Sequence, residues 1–135
     1  MPFKTLYESD FYRIEADLES GLVRSEWLRL VDEKEVKTGG TKLYEVLRDT
    51  KVELAIANAK AMGTLTGEAK EWLSVTFYEL LSQTNLKKLA RVLPSTVYHR
   101  IALESVITRA EALGATRFAV KNFQSTEEAF RWIRE

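Results

Sequence analysis

The chain contains no cysteine. That rules out a disulfide framework, a thiol nucleophile and any zinc site built on thiolates. Histidine occurs once, at His99. A lone imidazole could serve as a base or a pH switch, but no second catalytic partner stands at a recognisable spacing. The phosphate-cradling patterns GxGxxG and GxxxxGK are both missing, so no nucleotide loop is expected. Net charge is missing too, since 20 lysines and arginines balance 20 aspartates and glutamates. That balance argues against a nucleic-acid binder driven by counterion release. No apolar run approaches the length of a membrane span. The opening MPFKTLYESDFYR lacks the apolar core of a signal peptide, so a cytoplasmic location is the simplest expectation. No zinc, haem or nucleotide cofactor is expected, and the residues show no catalytic constellation that would mark an enzyme.

What remains is a balanced, well-filled composition. Hydrophobic residues make up 45% of the 135 positions, with three tryptophans. A chain of this length can bury a sizeable core as one domain. Residues 1–10 read as a lead-in, with an edge segment as one reading, and residues 11–135 as a single domain without repeats or linkers.

Phe11–Asp17 alternates, with Tyr12, Ile14 and Ala16 against Arg13 and Glu15, as a half-buried strand does. Leu22–Leu28 alternates again, and Ser20-Gly21 between them supplies the turn of a β-hairpin. Asp32 followed by Glu35 has the spacing of a capping box and opens a helix predicted over Asp32–Arg48. Gly39-Gly40 conflicts with that helix, since each glycine costs about 1 kcal/mol against alanine in a helix interior. Either the helix tolerates them for close packing, giving one helix with a weak middle, or it begins near Thr41; the first reading is preferred.

The stretch Lys51–Leu73 organises the rest. Val52–Asn58 is a short apolar run, read as a buried strand. Asn58–Leu65 is a loop, and an amphipathic helix runs from Thr66 to about Thr84. Its stripe is Ala69, Trp72, Leu73, Thr76, Phe77, Leu80 and Leu81, which turns Tyr78 outward as a partner contact. Leu86–Leu93 is a further strand, ended by Pro94. Ser95 or Thr96 caps a helix over Val97–Leu113. Thr116–Phe123 is the last strand, with Phe118, Val120 and Phe123 inward. Ser125 and Glu128 form a second capping box before Phe130, Trp132 and Ile133. The order is ββαβαβαβα. Three βα crossovers imply a mixed, mostly parallel sheet packed with helices.

This order of elements resembles the STAS domain, the fold of bacterial anti-sigma-factor antagonists. It is closer still to small bacterial STAS-like proteins grouped with the CRAL-TRIO lipid-transfer fold. The resemblance is carried by FYRIEADLESGLVRSEWL, NAKAMGTLTGEAKEWL, KKLARVLP and FQSTEEAFRWIRE, which together span most of the chain. It implies a regulatory, protein-binding module without chemistry of its own, meeting a protein partner or a second copy. The lipid-transfer relationship implies a second reading, a carrier of a lipid or small apolar ligand in a cavity of several hundred Å³. In antagonists proper, a serine after an aspartate at the start of one helix is phosphorylated, and the added charge breaks docking. Here that point reads Leu65-Thr66-Gly67-Glu68, without an Asp-Ser pair. Thr66 and Thr64 are therefore the candidate switch hydroxyls.

In open α/β sheets, loops at the carboxyl ends of the strands form the functional edge. The candidate partner or ligand face is thus Asn58, Lys60, Met62, Gly63, Thr96 and Tyr98. Several of the residues singled out have an ordinary alternative. Thr66 is placed to cap its helix, Lys60 to be solvated, His99 to lie on the surface, and Met62 to fold back over the core edge. Trp27, Trp72 and Trp132 fall on apolar faces, where packing is favoured over ligand stacking.

Overall fold

In a computed structural model, residues 3–135 are described. The first two positions of the expected lead-in, Met1 and Pro2, lie outside them. The rest of the lead-in forms strand β1 (Lys4–Glu8), an edge strand interrupted by an irregularity between Thr5 and Tyr7. Such a break blunts an edge against further pairing. The hairpin follows as β2 (Tyr12–Asp17) and β3 (Leu22–Trp27). Then come α1 (Glu33–Thr50), β4 (Leu54–Asn58), β5 (Lys88–Val92), α4 (Val97–Ala112), β6 (Ala119–Phe123) and α5 (Thr126–Ile133). Between β4 and β5 lie α2 (Gly67–Trp72), a π-helical turn (Leu73–Phe77) and α3 (Tyr78–Ser82).

The six strands stand in chain order. The first two pairings are antiparallel, and β3 to β6 are parallel. Sequential parallel neighbours joined by crossovers of one hand place every connecting helix on the same face. The main core agrees: Val36, Leu43 and Leu47 of α1 meet Leu73, Phe77 and Leu81 and then Leu103, Val106 and Ala110 of α4 over Ile14, Val23, Ala55 and Leu89. Among the described residues the opposite face carries one helix, α5, whose Ala129 and Ile133 cover Leu22, Ile56, Ala90 and Val92, with Phe3 packed beside them. Phe123 packs there with α5, not with Phe118 and Val120. Residues alternating along β6 must face opposite ways.

Capping is local chemistry and follows the spacing. Asp32 and Glu35 make both bonds of the box, with Oδ1 accepting from the Glu35 N–H at 2.8 Å and Oε1 accepting from the Asp32 N–H at 3.1 Å. Ser125 accepts from the Glu128 N–H, but its hydroxyl donates to Glu128 Oε1, so only half the reciprocal pair forms. Thr96 stands at the N-cap of α4 without making the side-chain bond expected of it. Gly39 and Gly40 are both buried inside α1, against Trp27 and Tyr12 and against Trp72 and Phe77 respectively. Close packing is the reason for the pair.

The helix expected over Thr66–Thr84 departs from regularity in its middle. Its buried residues are Ala69, Leu73, Phe77 and Leu81, spaced by four, with Ser74 and Tyr78. At 3.6 residues per turn, a spacing of four drifts about 40° per step. The wider π turn takes up that drift and keeps the row against the sheet. The same shift turns Tyr78 inward, where it is buried, and turns Thr76 to solvent. Both reverse the placement read from an uninterrupted α-helix. Phe77 is in the core, whereas Trp72 is half-buried and stacks on it with centroids 5.7 Å apart. Leu113, expected on the inner stripe of α4, is exposed.

Candidate functional site

Two places at the carboxyl ends of the parallel strands combine features that packing alone leaves over. The first is a surface. β4 ends at Asn58, whose Oδ1 accepts from the Lys60 N–H at 3.0 Å and so turns the chain. The Ala59 N–H still donates to Val92 at 2.8 Å, which pins the start of the loop to the sheet. Met62 then folds back into the core and is buried, as is Gly63. Neither contributes exposed surface to the edge. Gly63 has φ +80, and a Cβ there would collide with Leu30. The positive φ favours glycine there, while the Leu30 contact is with the end of an exposed, flexible side chain.

The chain emerges again at Thr64. Its Oγ1 lies 3.0 Å from His99 Nε2, tying the loop to the first turn of α4. Thr66 caps α2 by accepting from the Ala69 N–H at 3.1 Å. Beside this tie stand Val97, Tyr98 and Ile101, exposed by 55%, 68% and 55%, and Leu30 is exposed by 69% on the far side of Gly63. Thr96 is exposed next to them, and Lys60 points to solvent. A groove of about 200 Å³ runs between the start of α2 and α4, lined by Leu65, Lys70, Tyr98, Ile101 and Ala102. The structure therefore gathers Thr64, Thr96 and Tyr98 on one edge, adding Leu30, Val97, His99 and Ile101. Asn58, Met62 and Gly63 shape that edge from beneath.

The second place is interior. A narrow cavity of about 50 Å³ lies between the sheet and the π turn. Its walls include Tyr12, Met62, Leu73, Phe77, Leu103 and Arg91. Arg91 is only 3% exposed. Its Nη2 donates to the Leu103 carbonyl at 2.5 Å, and its Nη1 is buried with no partner. Burial pushes the Tyr12 phenol well above its ordinary range, a shift that Ser25 partly offsets. Sequence reading passed over Arg91. The available signal is one charge inside the apolar run Leu89-Ala90-Arg91-Val92-Leu93 of a strand paired on both sides.

A third cleft, about 280 Å³, opens where α5 leaves β2 and β3 uncovered. Its charges are largely mutual: Arg13 meets Glu26 at 2.7 Å and Arg24 meets Glu15 at 2.9 Å. Among the described residues no group of His, Asp and Glu stands together as metal ligands do, and no helix is long and apolar enough to cross a membrane. Comparison with family models, curated proteins and solved structures gives no match.

Proposed function

We propose that this chain is a non-enzymatic, STAS-like interaction domain that binds a protein partner through the edge formed by the loop after β4 and the first turns of α4. The observation that carries the reading is the group Val97, Tyr98 and Ile101, three large apolar side chains standing in water on one end of one helix. α4 already buries Leu103, Val106, Ile107 and Ala110 against the core. A helix apolar on both sides is one that expects cover on both. Lys70 lines the adjoining groove and makes no ion pair among the described residues. The partner segment that suits this edge presents an apolar side chain to the groove and a carboxylate to Lys70. The carrier reading asked for an apolar cavity of several hundred Å³, and the interior cavity is about 50 Å³, too small for a lipid chain.

The test is a photo-crosslinking residue placed at Tyr98 in the native host, with Lys121 on β6 as the control position. The expected result is one defined partner crosslinked from position 98 and not from 121. Its purified form should bind the wild-type chain and lose roughly tenfold or more in affinity to Ile101→Asp. A crosslink to a second copy of the chain would support the homodimer reading. No crosslink from position 98, or unchanged binding of the crosslinked partner by Ile101→Asp, would defeat the assignment of this edge. Phosphorylation of Thr64 would add charge beside His99 and the groove, and of Thr66 would remove a helix cap.

A further inference from the structure

We propose that the cavity at Arg91 is a binding site for a small monocarboxylate, of about acetate to propionate size. The inference is separate from the partner-binding edge and stands on three features of one place. Arg91 is almost fully buried, and a guanidinium keeps its charge in a protein interior. A buried charge is retained when something pairs with it. Arg91 makes no ion pair among the described residues, and its one side-chain hydrogen bond is from Nη2 to Leu103, a neutral carbonyl. The donors on Nη1 are buried without a partner, and Arg91 is one of the residues that line the cavity.

The cavity suits an anion with a short apolar tail. Leu73, Phe77, Met62 and Leu103 offer it nothing to hydrogen-bond through their side chains. A cavity of about 50 Å³ has room for roughly three to five waters, the bulk of four or five heavy atoms. A carboxylate presents two oxygens in a plane, the shape that the guanidinium fork matches. The alkyl remainder fills the apolar part. The third feature is the π turn itself. Leu73 and Phe77 at its two ends both line this cavity. Such interruptions gather at functional sites.

The experiment uses the full chain, methyl- and guanidinium-labelled for nuclear magnetic resonance, titrated with sodium propionate. Sodium chloride at matched ionic strength is the parallel arm. The expected result is saturable shifts at the Arg91 guanidinium and the Met62 and Leu103 methyls, with through-space contacts from propionate protons to both methyls. Arg91→Met should weaken binding by roughly tenfold or more. If that variant does not fold, the through-space contacts in the wild-type chain decide by themselves. Saturation by chloride with equal affinity would overturn the carboxylate assignment in favour of any small monoanion. No saturable response to propionate, contacts elsewhere, or full binding by a folded Arg91→Met would overturn the site.

Discussion

At Gly39 a Cβ would meet the Trp27 ring at 2.6 Å, and at Gly40 the Trp72 ring at 2.8 Å. At Gly67 it would meet nothing within 4 Å. Helix propensity favours alanine at all three by up to about 1 kcal/mol, so space decides the sign. Gly39→Ala should lose roughly 1–2 kcal/mol in urea melts, overpacking outweighing propensity. Gly67→Ala should hold or gain stability. A gain at Gly39 would mean that the Trp27 ring moves aside at little cost. Phe77→Ala removes a buried ring between α1 and α4 and should cost about 3–5 kcal/mol by the same measurement. Arg91 works in the opposite direction. Replacing a buried charge that lacks a counter-charge by an apolar side chain of similar length should leave the ligand-free domain at least as stable, with a gain on the order of 1 kcal/mol. A large loss on Arg91→Met would instead make the Leu103 hydrogen bond its reason for being there.

Two carboxyls in the first turns of α1 and α2 shift in opposite directions. Glu35 caps Asp32 and also receives Arg29 at 2.7 Å. The Arg29 hydrogen bond, and then the Asp32 N–H, hold the Glu35 carboxyl below its ordinary range. A depressed carboxyl contributes stability that is present above its unfolded value and lost as pH falls through the folded one. Wild type and Glu35→Gln should therefore differ at neutral pH and converge in acid. Glu68, at the start of α2, behaves oppositely, since its hydrogen bond and repulsion with Glu33 of α1 raise it. A raised group contributes stability below its unfolded value and loses it as pH rises. Glu68→Gln should then melt at higher temperature than wild type at neutral pH, with the difference fading in acid. Parallel melts across the acid range check both signs. The π turn belongs to this scale as well. The four-residue spacing of Ala69, Leu73, Phe77 and Leu81 is visible in the chain, yet a spacing of four reads as helical whether or not the turn widens. Its consequence, an inward Tyr78, appears only once α1, α4 and the sheet fix where the helix must point.

The whole molecule is wound to one side, with a broad core under α1 to α4 and a smaller one under α5. β4 and β5 are paired on both edges and covered on both faces, while β1 is paired on one edge and largely exposed. Native-state hydrogen exchange should find the slowest amides in β4 and β5, opening only with global unfolding, and the fast ones in β1. Equal protection across the sheet would make the six strands one cooperative unit. The hairpin, both helix-start signals and the alternation of strands with amphipathic helices were legible because each depends on residues within a turn or two of one another. They were enough for an α/β domain with a mixed, mostly parallel sheet, and for the edge where its loops gather. The sequence alone determined those local elements and their order. Only the tertiary structure decided that Met62 turns inward, that Thr64 meets His99, and that Arg91 ends buried beside Leu103 with one nitrogen unpartnered. The physical reason is distance along the chain: these contacts join residues that no local pattern relates, and packing many elements at once sets them.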